Sequence, residues 1–69
     1  MWLSESEIET LVLIARAEQA LHPADLSMAL NLRPETLSRI VTHLVNKGLL
    51  ERKDREIALA RTPAAEAFK

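Results

Sequence analysis

The chain has no cysteine and no tyrosine, one glycine, Gly48, and two aromatic residues, Trp2 and Phe68, both near its ends. Each shortage excludes something. Without cysteine there is no disulfide staple, thiolate zinc site or cysteine nucleophile, and a reducing compartment inside the cell fits best. A lone glycine leaves no glycine-rich phosphate loop. The scarcity of aromatics leaves Leu, Ile, Val, Ala and Met to build the interior from a hydrophobic content of 48%, which suits a small aliphatic helical core. The longest apolar run is residues 11–15, against the roughly 18 needed to cross a bilayer. The N-terminus also lacks a basic start leading into an apolar segment, so a cytoplasmic chain without a membrane span is expected. His22 and His43 are the only histidines, too few for a metal site of three or four ligands. With no reactive constellation beside them, neither an enzyme nor a cofactor is expected.

At 69 residues the chain is expected to be a single domain spanning 1–69, near the lower size limit for folding without a disulfide or metal. Its net charge of −1 hides an asymmetry. Residues 1–32 carry Arg16 against Glu5, Glu7, Glu9, Glu18 and Asp25, one base against five acids, net −4. Residues 33–69 carry eight bases against five acids, net +3. The C-terminal half is therefore the one suited to meet phosphates.

Ser4 followed three residues later by Glu7 is a capping box, with Leu3 and Ile8 placed to form a hydrophobic staple. A first helix over about 5–21 is predicted, with Ile8, Leu11, Val12, Ile14 and Ala15 on one apolar arc. Leu13, Ala17 and Ala20 fall outside that arc and, with Trp2, form a second facet that the chain ends or another subunit would cover. His22-Pro23 breaks the helix and opens a second over about 23–30, with Leu26 and Leu30 inward. Asn31 suits a left-handed cap. Pro34 opens the third helix, which leaves Arg33, a poor capping residue, at the cap position. Leu37, Ile40, Val41 and Leu44 then recur at i, i+3, i+4 and i+7, and Gly48 ends the helix. Residues 49–53 and 56–61 read as strands joined at Asp54-Arg55, and Thr62-Pro63 as the start of a short last helix. The fold expected is mainly α with a small β-hairpin: three helices, a two-stranded antiparallel hairpin and a short C-terminal helix.

Opposite its apolar stripe the third helix gathers Glu35, Thr36, Ser38, Arg39, Thr42, His43 and Asn46. An α-helix fits the DNA major groove, and its N-terminal half usually meets the bases. Glu35, Thr36, Ser38, Arg39, Thr42 and His43 are therefore the candidates for base reading. Arg39 leads them, because arginine pairs with both major-groove acceptors of guanine. Glu35 would accept from cytosine or hold Arg39 at i+4. Arg33, Asn46 and Lys47 at the helix ends and Arg52, Lys53 and Arg55 in the hairpin are the phosphate or minor-groove candidates. A polar helix face and a charged turn are also what any solvated surface shows, so the pairing of the two carries the expectation.

Several stretches resemble a winged helix-turn-helix of the MarR type. They are Leu3-Ser4, residues 26–32, Pro34-Glu35-Thr36-Leu37-Ser38-Arg39, Lys47-Gly48-Leu49-Leu50-Glu51-Arg52, and residues 59–63 as a hydrophobic strand running into Thr62. The resemblance covers nearly the whole chain. It implies sequence-specific binding of double-stranded DNA by a transcriptional regulator, with a recognition helix at about 34–47 in the major groove and a wing at about 49–61 on the backbone or minor groove. Departures are Ser27 where Ala is usual, Asn31 where Gly is usual, Arg33 where Ser or Thr caps, and a wing shortened until Asp54 and Arg55 are adjacent. The long terminal helices that form the dimer and frame a ligand pocket in that family are not matched, so no small-molecule effector site is carried over. A homodimer is expected because one small winged helix has limited contact area. The rival reading is a winged helix that serves as a protein-interaction module within a larger assembly and binds no DNA. The negative net charge and the second apolar facet favour it, and the polar, basic third helix and hairpin oppose it.

Overall fold

The structure, a computed structural model, describes residues 3–67, and Trp2 and Phe68 lie outside them. The capping box predicted at the N-terminus is present. Ser4 Oγ accepts the Glu7 N–H at 3.3 Å and the Glu7 carboxylate accepts the Ser4 N–H at 3.1 Å, which starts α1 (Glu5–Ala17). The helix ends earlier than expected, with Glu18 in the left-handed region at φ 55°. The cause is distant in sequence: Leu21 exchanges two backbone hydrogen bonds of 2.8 Å with Ile57, so the chain must be extended there.

The buried face of α1 also differs from the apolar arc. It consists of Glu7, Thr10, Leu11 and Ile14, while Ile8 is 43% exposed. Two polar residues sit inside with their hydrogen bonds made. Thr10 donates to the Ser6 carbonyl at 2.8 Å, and Glu7 is held by its own cap and by the third helix. Leu3 packs on the core, and Leu13 does so too from a half-buried position, with Ala17 and Ala20 half-buried further along. The core itself thus covers part of the second facet.

Helix α2 (Pro23–Leu30) opens on His22, whose Nδ1 accepts the Ala24 N–H at 3.3 Å, and closes on Asn31 at φ 54°, as the sequence predicts. Helix α3 (Pro34–Asn46) buries Leu37, Val41 and Leu44, with Ile40 half-buried beside them, and Arg33 makes no side-chain capping bond. Gly48 turns the chain at φ +75°. The strands β1 (Leu50–Lys53) and β2 (Glu56–Leu59) pair antiparallel from Leu50 opposite Leu59 to Lys53 opposite Glu56. Asp54 takes the positive φ of 58° that the tight turn requires, a conformation Asp tolerates better than most residues. Thr62 caps α4 (Pro63–Glu66) by accepting the Ala65 N–H at 3.2 Å and donates its hydroxyl to the Gly48 carbonyl at 2.6 Å. One side chain thereby ties the exit of the hairpin to its entrance. Among the described residues the buried hydrophobic side chains are all aliphatic, running from Leu11 and Ile14 through Leu26, Leu37, Val41 and Leu44 to Leu49, Leu50, Ile57, Ala60 and Ala65.

Candidate nucleic-acid interface

Packing Leu37, Val41 and Leu44 inward turns the opposite side of α3 to solvent, and Glu35, Thr36, Ser38, Arg39, Thr42, His43 and Asn46 are all exposed there. Arg33 is exposed at the helix entrance. Arg39 is exposed and forms no ion pair with Glu35 among the described residues. In the hairpin Arg52, Lys53 and Arg55 are exposed, the last beside Asp54 at the turn.

Three contacts divide these residues into distinct roles. Arg52 Nη2 donates to Thr42 Oγ1 at 3.0 Å, so Arg52 straps the hairpin to α3 while Lys53 and Arg55 stand at the tip. At the other end of the helix, His43 Nδ1 lies 3.0 Å and Lys47 Nζ 3.7 Å from the same oxygen of Glu7. The His43 side chain is nevertheless 62% exposed, with one ring edge on α1 and the rest toward solvent. The Glu7 carboxyl is held below the usual carboxylate range. The Ser4 backbone N–H has the largest effect, burial opposes it, and the Ser4 side chain, Lys47 and His43 reinforce it.

Glu7 is the residue that sequence reasoning missed. Its place in the capping box was visible, but its reach to a histidine 36 residues away has no local signal. A groove of about 590 Å³ was not anticipated either. It runs between α2, α3 and the hairpin, with Ser27, Met28, Leu37, Ser38, Val41 and Arg52 along it. Met28, 82% exposed on α2, was the available hint. Among the described residues no three His, Asp or Glu side chains come together as a metal site would need, and no helix is long and apolar enough to cross a membrane.

The fold recurs in known proteins. A family model described as the MarR family matches residues 3–56. MepR, a transcription regulator of the Staphylococcus aureus multidrug efflux pump MepA, superposes with a TM-score of 0.82 at 26% identity, over 96% of this chain and 54% of its own. A MarR-family transcriptional regulator from Silicibacter pomeroyi superposes with a TM-score of 0.74 at 28% identity, over 96% of this chain and 47% of its own. A MarR-family protein of Mycobacterium tuberculosis, at 20% identity, shares the fold with a TM-score of 0.81, over 96% of this chain and 48% of its own. The chain thus spans about half the length of the solved structures it matches. No curated protein sequence matches it. With the family model extending from the capping box of α1 through α3 and β1 to the first residue of β2, the chain belongs to the MarR family of winged-helix regulators.

Proposed function

We propose that this domain binds double-stranded DNA sequence-specifically as part of a transcriptional regulator, with α3 in the major groove and the hairpin on the adjoining backbone or minor groove. The Arg52–Thr42 hydrogen bond carries the reading. It fixes the hairpin against the outward face of α3, so that base-reading side chains and tip cations are offered together. Arg39, Ser38, Glu35 and Thr36 occupy the N-terminal part of the helix, where edges of bases are reached. Arg33, Lys53 and Arg55 are placed for phosphates, which position a protein without specifying sequence. A homodimer reading two half-sites follows from the small contact area of one copy. That the efflux-pump regulator MepR shares the fold at 26% identity supports the regulatory role.

Titration of labelled duplexes selected from a randomised pool tests this. Arg39→Ala is expected to lower discrimination at one base position by about 1–3 kcal/mol. Absence of binding at low salt would overturn the proposal and favour the protein-interaction reading.

A further inference from the structure

We infer that Glu7 is a positioning residue for DNA recognition: its carboxylate fixes the ring of His43 as the Nδ1–H tautomer and so makes Nε2 an acceptor turned toward the groove. The inference rests on the DNA-binding reading above and adds to it a residue outside the recognition helix.

The chemistry follows from which groups can donate. Glu7 Oε1 accepts the Ser4 N–H at 3.1 Å, and the other carboxylate oxygen faces His43 Nδ1 at 3.0 Å. An ionised carboxylate has no proton to give, so Nδ1 must carry the hydrogen between them. Lys47 Nζ, 3.7 Å from the same oxygen, favours the ionised form. The Glu7 side chain is 7% exposed, so its two oxygens have few other orientations to adopt, whereas the His43 ring remains 62% exposed. In a neutral imidazole with hydrogen on Nδ1, Nε2 holds the free lone pair. The major-groove donors that such an acceptor can meet are the amino groups of adenine and cytosine. A neutral ring with hydrogen on Nε2 would instead meet the acceptors of guanine, adenine N7 or thymine O4. The capping box of α1 therefore selects the base class read from α3.

Glu7→Gln isolates the effect. Its carbonyl keeps the bond from the Ser4 N–H, and its amide then presents a donor to His43, which reverses the tautomer while preserving the cap. Nitrogen NMR of the intact chain at about pH 8.5, two units above the ordinary histidine value of about 6.5, reads the tautomer without any DNA. The protonated ring nitrogen is expected to be Nδ1 in the native chain and Nε2 in Glu7→Gln. A native ring protonated on Nε2, or a tautomer indifferent to Glu7→Gln, would overturn the inference. Selection from a randomised duplex pool at the same pH supplies the second arm. One position is expected to favour adenine or cytosine with the native chain and to shift about five- to tenfold toward guanine or thymine with Glu7→Gln. His43→Ala, at an exposed site, is expected to lose preference at that same position. A tautomer reversal with an unchanged selected motif would overturn the assignment of His43 as a reader. A native chain that enriches no duplex while showing the expected tautomer would instead overturn the DNA reading and leave the Glu7–His43 pairing standing.

Discussion

The two histidines do opposite work with the same atom. His22 Nδ1 accepts the Ala24 N–H at the start of α2, so that ring must lack a proton there, while His43 Nδ1 faces a carboxylate and must carry one. Nothing in their sequence neighbourhoods distinguishes these states, since each depends on what the fold brings alongside. Glu7 shows the same dependence energetically. Its folded carboxyl titrates below the usual range, held there first by the Ser4 N–H. A group whose folded value is depressed stabilises the fold fully above its unfolded value, and that contribution fades as pH falls through the folded value. Urea unfolding of the native chain and of Glu7→Gln, compared between about pH 6 and pH 3, is expected to show a native advantage at the upper end that shrinks toward the lower. A difference independent of pH would show that Glu7 acts through its shape and not its charge.

Among the elements, α3 was legible because its pattern is unmixed: every residue of the Leu37, Ile40, Val41 and Leu44 stripe is apolar and at least half-buried. The hairpin, the Asn31 cap and the Thr62 start of the last helix were legible through turn and capping chemistry. Helix α1 was legible at its start only. Half of its buried face is polar, and hydropathy cannot reveal a Thr10 hydroxyl bonded back to Ser6 or a Glu7 satisfied by its own cap. Its end is set by Leu21 pairing with Ile57, a bridge that no local window contains. Gly48, between α3 and β1, allows a cleaner test of local backbone need. A Cβ added there would meet only Thr62 Cγ2, at 4.0 Å, so no clash is involved, yet φ is +75°. Gly48→Ala is expected to cost about 1–2 kcal/mol from the left-handed backbone alone, measured as a lowered urea midpoint with an unchanged denaturant slope.

For the whole molecule, the charge asymmetry places an acidic half beside a basic one, and net charge alone would have argued against a nucleic-acid partner. The basic face of α3 and the hairpin could be read from the sequence as a set. The division of labour within it could not, because Arg52 is drawn to Thr42 while Lys53 and Arg55 are left at the tip. That division predicts separable salt effects. Replacing Lys53 or Arg55 by Ala is expected to weaken binding to all duplexes alike and to reduce the slope of log affinity against log salt by about 0.9 for each phosphate no longer neutralised. Arg52→Ala is expected to lower affinity for the selected duplex with a smaller change in slope, since its partner in the free chain is a hydroxyl on α3. Equal slope changes for all three would place Arg52 on a phosphate as well.

The Leu21–Ile57 bridge has a mechanical consequence. It adds a single paired residue on the outer side of β2, next to the Lys53–Glu56 pair that closes the hairpin, while Asp54 and Arg55 have only the turn itself to hold them. The hairpin is therefore graded in stiffness: held at Ile57, whose N–H and C=O both bond Leu21, and compliant at the turn. On the DNA reading proposed above, the ordering entropy given up on meeting a duplex would fall on a few residues at the tip, the Arg52–Thr42 hydrogen bond already holding the hairpin against α3 in the free chain. Amide hydrogen exchange would display this gradient directly, slow at Leu21 and Ile57 and fast at Arg55.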